Sequence, residues 1–176
     1  MKARPVHSRI NSLPFRWPEP PFHLVLVNPE IPPNTGNIAR LCAATGSVLH
    51  LIEPLGFKIT DSELKRAGLD YWKSVDVRVH PDFDAYLAQE QPERLFLFST
   101  AGGRSFLDAG FRPGDALVFG CETRGLPDAL LARYPEQVLG IPVRPEHVRS
   151  LNLSTAAGVA LYEALRQAQE NRGFYG

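Results

Sequence analysis

Short apolar runs alternate with longer segments of helical period along nearly the whole chain. FHLVLVN (22–28), VLHLIE (48–53), VDVRVH (75–80), RLFLFST (94–100), DALVFG (115–120) and VLGI (138–141) are four to seven residues long and bounded by polar or turn-forming residues. Runs of that length predict buried strands. Between the first two, Ile38, Leu41, Cys42 and Thr45 mark one face of a helix, with Asn34 or Thr35 as its N-cap and Gly46 at its stop. Asn37 and Arg40 lie three apart on a different face. Thr60 or Asp61 caps a short helix ending at Gly68, and further helices are expected over 82–89 and from about 127 to 133. The closing helix opens near Asn152, where Leu153, Ala156, Ala157, Ala160, Leu161, Ala164, Leu165 and Ala168 recur at helical period. A stripe made mostly of alanine lets that helix lie very close to its neighbour. Strands alternating with helices predict an α/β fold, a mostly parallel sheet flanked by helices on both faces.

Composition sets the class. The 176 residues are 44% hydrophobic and 22% charged, values of an ordinary soluble globular domain. Residues 1–21 differ: five prolines, Lys2, Arg4, Arg9 and Arg16 against a single acid, Glu19, and no apolar periodicity. They read as a flexible basic arm, leaving 22–170 as the folded domain and 171–176 as a tail. No apolar run approaches the roughly 18–20 residues that cross a bilayer, so no membrane partner is expected. The N-terminus has no secretory h-region. Cys42 and Cys121 stand far apart without metal-ligand spacing, so neither zinc nor another metal, nor a disulfide framework, is expected, and a reducing cytoplasm fits best. The formal net charge is zero, so any nucleic-acid binding must rest on a local basic patch.

In a parallel sheet, ligands gather outside the carboxyl ends of the strands. Four polar loops follow strands here: 28–40, 99–104, 119–126 and 141–152. The last places Arg144, Arg149, Ser150 and Asn152 where a strand hands over to a helix N-terminus, a place suited to polar or anionic ligands. The glycine fingerprints of dinucleotide and nucleoside-triphosphate sites are absent, which disfavours an oxidoreductase. The five histidines are scattered along the chain, and only His147 falls in one of the four loops. Backbone amides of the small-residue loops suit a neutral or zwitterionic cofactor, while Arg40, Arg124, Arg144 and Arg149 suit phosphates.

Three segments resemble a known family. Asn28, Pro32 or Pro33, Asn34-Thr35-Gly36-Asn37 and Arg40 match the first motif of the SPOUT superfamily of RNA methyltransferases. FGCETRGL (119–126) resembles its second motif and SLNLS (150–154) its third. The likeness runs from Phe22 to about Gln167. The small size, ETRGLP and RAGLDYW (66–72) look most like the bacterial wobble-position tRNA 2′-O-methyltransferases of the SpoU class.

The resemblance implies a C-terminal trefoil knot holding S-adenosylmethionine, a homodimer, and methyl transfer to the ribose 2′-hydroxyl of the tRNA wobble nucleotide, cytidine or carboxymethylaminomethyluridine. Carried over residue by residue, the cofactor wall is Phe98, Thr100, Gly120, Glu122, Gly125, Ile141, Ser150, Leu151, Asn152 and Ser154. Asn37, Arg40, Arg124, Arg144 and Arg149 would face the RNA, and Arg40 and Tyr162 are the candidates for the chemistry. A guanidinium holds its protons too tightly to be a ready base, so Arg40 is equally suited to orienting the ribose or its phosphate. The closing helix and the first-motif helix are expected at the dimer interface. The loop 141–152 is longer than the family pattern. Ribosomal RNA or another tRNA position is the alternative substrate, although such relatives usually carry an N-terminal RNA-binding domain larger than this arm. A non-catalytic RNA-binding module is disfavoured by the intact Asn37, Arg40, Glu122, Gly125, Asn152 and Ser154.

Overall fold

Every apolar run becomes a strand, and the central strands are buried because the sheet is covered on both faces, while Val77–His80 at the edge is largely exposed. The computed structural model describes residues 13–59 and 74–170. The helix expected after Thr60 and the tail 171–176 lie outside the described residues. The strands are β1 (His23–Val27), β2 (Val48–Ile52), β3 (Val77–His80), β4 (Leu95–Phe98), β5 (Arg104–Ser105), β6 (Ala116–Phe119) and β7 (Val138–Gly140). The helices are α1 (Pro32–Thr45), α2 (Phe83–Glu90), α3 (Asp128–Arg133) and α4 (Leu153–Glu170). All strand pairings are parallel, in the order β3-β2-β1-β6-β4-β7-β5. The expected α/β architecture is therefore present, with one strand more than the six the pattern showed. β5 is two residues long, too short for a periodic signal.

Strand alternation sorts the core into two layers. Leu24 and Leu26 of β1, Leu49 and Leu51 of β2, Phe96 and Phe98 of β4 and Leu117 and Phe119 of β6 pack with α1 and α4. Val25, Val27, Leu97, Ala116 and Val118 pack on the other side with Tyr86 of α2 and Leu130 of α3. In the first layer, Phe98 stacks on Phe119 with ring centroids 4.7 Å apart. Cys42 belongs to the same layer, and burial pushes its thiol up to about 12, so it acts as packing volume.

One helix end differs from the sequence reading in a way that matters for the site. α1 begins at Pro32 with Ile31 as N-cap, not at Asn34 or Thr35. Proline suits the first helical positions, where its missing N–H costs nothing. Asn34 thus sits within the first turn with its side chain released from capping. The stop is as expected: Gly46 adopts φ +70° and donates its N–H to Cys42 O.

The alanine stripe of α4 faces inward. Ala157, Ala160, Leu161, Ala164, Leu165 and Ala168 are buried in the chain's own core. The outward face carries Val159 and Tyr162, 40% and 56% exposed. The stripe therefore serves intramolecular packing, and any second subunit meets the opposite face. The described part of the arm is not free-standing either. Phe15 packs on the core, Pro18 is buried, and Gln169 Nε2 donates to Arg16 O at 2.6 Å.

β7 lies between β4 and β5, so the connection 99–103 must cross it. The crossing is close: a Cβ at Gly102 would lie 2.4 Å from the Leu139 carbonyl carbon and 2.5 Å from Gly140 N. Only glycine fits there.

The histidines are not scattered in space. The parallel register brings His23, His50 and His80 from β1, β2 and β3 into a hydrogen-bonded row. Burial, reinforced by the neighbouring Arg78 guanidinium and the adjoining imidazoles, lowers the His50 imidazole from 6.5 to about 3, and burial lowers His23 as well. Below 6.5 the unfolded chain takes up a proton at His50 that the folded chain refuses. Its contribution to stability is therefore complete above 6.5 and is lost as pH falls toward about 3. Urea unfolding with a chelator present should show stability falling with acidification, by up to about 1.4 kcal/mol per pH unit for this group. His50→Gln should flatten that slope; an equal slope in the variant would refute a neutral buried His50.

Candidate active site

The carboxyl ends of β4, β6 and β7 open into a cavity of about 780 Å³. Its walls are the loops after those strands, with Ile31 and Asn34 at the start of α1. That volume is within the range of about 300–1,000 Å³ common to small-molecule sites. Phe98, Ile141, Leu126 and Leu151 give apolar surface, and Thr100, Arg124, Asp128 and Arg149 give polar groups.

The loop after β6 closes as a tight turn. Gly125 adopts φ +71° and donates its N–H to Cys121 O at 2.9 Å. A Cβ on Gly120 would lie 2.0 Å from the Gly125 carbonyl carbon, so the two passes of the turn touch through backbone.

Glu122 ties the cavity walls together. Its carboxylate accepts from Glu30 N at 2.8 Å, Ile31 N at 3.2 Å and Asn34 Nδ2 at 3.0 Å. Glu122 thereby satisfies N–H groups ahead of a helix that has no side-chain cap of its own. Asn34 Oδ1 accepts in turn from Asn152 Nδ2 at 3.0 Å. Asn152 Oδ1 accepts from Ser154 N at 2.9 Å, Ser154 Oγ at 2.7 Å and Thr155 N at 3.3 Å, capping α4. A reciprocal pair locks the first two loops: Thr123 donates from N at 3.2 Å and from Oγ1 at 2.8 Å to Glu30 Oε2. Asn28 ends β1 at φ +53°, a conformation asparagine tolerates, and its Nδ2 reaches Pro54 O at 3.4 Å.

The profile of the SpoU rRNA methylase family matches residues 21–162, across these same three loops. The chain belongs to that family. Among its relatives is a tRNA (cytidine(34)-2′-O)-methyltransferase of Burkholderia pseudomallei, 56% identical over 150 residues that span 84% of this chain and 96% of the relative. A structure solved for the 2-OH methylation of C/U34 on tRNA superposes with a TM-score of 0.77 at 55% identity, covering 83% of this chain and 95% of that one. A SpoU methyltransferase of Streptomyces viridochromogenes, in complex with the cofactor AdoMet, gives a TM-score of 0.68 at 25% identity, covering 82% and 57%.

In this SpoU methylase, Phe98, Thr100, Gly120, Glu122, Gly125, Ile141, Ser150, Leu151 and Asn152 all line the cavity, as do Arg124 and Arg149. Ser154 lies one step back, on the first turn of α4, where its N–H and hydroxyl hold Asn152. Asn37 and Arg40 are on the exposed face of α1 and Tyr162 is on the exposed face of α4; none of the three lines the cavity of its own chain. Arg144 and His147 are exposed in the loop after β7, outside the cavity lining. Sequence reasoning missed the partners of Glu122. Nothing along the chain marks Glu30, Ile31 and Asn34 as meeting a residue about 90 positions away, and Thr123, the neighbour of Glu122, reaches back to Glu30 over a similar distance.

Replacing Glu122 by alanine leaves two backbone N–H groups and one amide without their acceptor. The unfolding free energy should fall by about 1–3 kcal/mol, measured by urea denaturation; an unchanged value would show that the carboxylate does not tie the loops. Gly120→Ala, which has no room for its methyl, should lower the melting temperature markedly, and normal melting would contradict the close approach.

Proposed function

We propose that this chain transfers a methyl group from S-adenosylmethionine to the ribose 2′-hydroxyl of nucleotide 34, the wobble position of tRNA. The observation that carries the reading is the cavity itself: three family motifs, tied by Glu122, Asn34 and Asn152, wall a volume fit for a nucleoside-sized ligand. The relatives named for cytidine 34 of tRNA, matched over nearly their whole length, favour tRNA over ribosomal RNA.

The residues suit the cofactor. Phe98, Ile141, Leu126 and Leu151 offer apolar surface for a base, and the turn at Gly120 and Gly125 presents backbone without side chains in the way. S-adenosylmethionine would supply a methyl group already activated on sulfonium sulfur. The protein's remaining tasks are to hold the 2′-hydroxyl in line with that methyl and to let its proton leave. Arg124 and Arg149, at the cavity wall, are placed to meet RNA phosphates, with Arg144 on the loop beside them.

Arg40 and Tyr162 reach the chemistry only from a second copy of the chain. Each is exposed and off the cavity of its own protomer, and α1 and α4, which carry them, pack against one another. A homodimer through their outer faces, with Val159 and Tyr162 buried between subunits, would bring Arg40 of one subunit to the cavity of the other. The reading includes the family's C-terminal knot, and the close crossing of β7 by the 99–103 connection at Gly102 supports it. No helix among the described residues is long and apolar enough to cross a membrane, and Cys42 and Cys121 are free thiols, consistent with work in the cytoplasm.

The test is methyl transfer from labelled S-adenosylmethionine to bulk bacterial tRNA, followed by nuclease mapping. Label in a 2′-O-methylated nucleotide 34 is expected; label on ribosomal RNA alone would replace tRNA as the substrate. Arg40→Lys should lower kcat/KM by roughly 100-fold or more while cofactor affinity holds, because general acid–base and orientation terms are of that order. Full activity in Arg40→Lys would remove Arg40 from the chemistry. If Tyr162 takes the proton, Tyr162→Phe will lower kcat by roughly 100-fold while cofactor affinity holds.

A further inference from the structure

The row of histidines on the far side of the sheet has a direction. His80 Nδ1 lies 2.9 Å from Gln89 Oε1, an atom that only accepts, so the His80 proton is on Nδ1 and its Nε2 offers a lone pair. That lone pair faces His50 Nδ1 at 3.0 Å, and the other nitrogen of His50 meets His23 Nδ1 at 2.9 Å. Glu90, the last residue of α2, brings Oε1 to 3.9 Å from His80 Nε2, while Arg78 holds its other oxygen at 2.5 Å. His50 and His80 are fully buried and the Glu90 side chain is 14% exposed. One ligand atom from each of His50, His80 and Glu90 falls within a 4.8 Å span.

We infer that His50, His80 and Glu90 form a binding site for a divalent transition-metal ion of the zinc type, joining β2, β3 and α2. Neighbouring ligand atoms in a tetrahedral zinc site are about 3.3 Å apart, from metal–nitrogen distances of about 2.0–2.1 Å. The observed 3.0 and 3.9 Å straddle that separation. Two imidazoles and one carboxylate are a donor set zinc favours. The outer hydrogen bonds are also those of metal-bound histidines: Gln89 orients His80 through its second nitrogen, and His23 does the same for His50. Tyr86 packs edge-on against both rings, and its buried hydroxyl has no hydrogen-bond partner among the described residues. The charge suits a cation: Asp76 and Glu90 outnumber Arg78, which pairs with both.

Binding needs no net proton release from the histidines. The His50 proton moves from Nδ1 to Nε2 and the His23 proton from Nδ1 to its outer Nε2, so that His50 Nε2 donates to His23 Nδ1 and the lone pairs of His50 Nδ1 and His80 Nε2 both face the ion. The site is illegible along the chain because its ligands come from one strand, the next strand and a helix end, at positions 50, 80 and 90. Ligand spacing in sequence, the ground for expecting no metal, does not detect it.

The test uses the full-length protein, freed of metal by a chelator, dialysed and titrated with Co²⁺. The expected result is one equivalent bound with the visible d–d absorption of low-coordinate cobalt, displaced by Zn²⁺. Gln89→Ala, an exposed substitution that leaves every ligand in place, should weaken Co²⁺ binding by about 10–100-fold. Glu90→Gln should abolish the visible bands. Absence of bands in the wild type, or bands and affinity unchanged in both variants, would overturn the proposal. The readout is independent of methyl transfer, so its failure would leave the proposed enzymatic function standing.

Discussion

The carboxylate of Glu122 is the constraint on which the functional end of the molecule depends. Three loops leave the carboxyl edge of a parallel sheet, and each would otherwise carry its own conformational freedom. Glu122 accepts from two backbone amides and from Asn34, and Asn34 accepts from Asn152, so one chain of hydrogen bonds spans all three motif loops. A charged acceptor makes these stronger than neutral pairs. The acid and both amides are thus occupied in holding the wall, and the surface left for ligand recognition is mostly backbone and apolar side chain.

This arrangement requires close backbone approaches that side chains would forbid. At Gly120 the chain touches the Gly125–Leu126 peptide, and at Gly102 the connection from β4 crosses the Leu139–Gly140 peptide. Both glycines sit where a strand end turns back against another segment of backbone. The second approach follows from topology: β7 enters the sheet between two strands that a five-residue connection joins, so that connection has to pass directly over it.

The two faces of the sheet serve different ends. On one, α1 and α4 pack through a seam of small residues and leave Arg40 and Tyr162 on their exposed outer faces. On the other, three parallel strands align His23, His50 and His80 beneath α2, where burial lowers the His50 and His23 imidazoles and hydrogen bonds orient the rings. Neutral, oriented lone pairs are what a metal ion needs, and the same burial makes that edge sensitive to acid.

By itself the sequence determined the elements, the α/β class and the family. Strand runs such as FHLVLVN and the alanine-rich period of α4 are local signals, and the glycines and asparagines of the three motifs stand at strand ends that the pattern located. It also named Phe98, Gly120, Glu122, Gly125, Ser150 and Asn152 among the residues that line the cavity, because motif residues carry over one by one. What it could not determine were contacts between residues distant along the chain. The N-cap of α1 moved to Ile31 because two prolines start the helix, and this freed Asn34 for Glu122, 88 positions away. The two-residue β5 and the docking of Phe15 depend on the assembled sheet. So does the histidine row, since parallel register, not spacing, sets positions 23, 50 and 80 side by side. Periodicity reports which face of an element is buried; only the packed structure decides what that face meets.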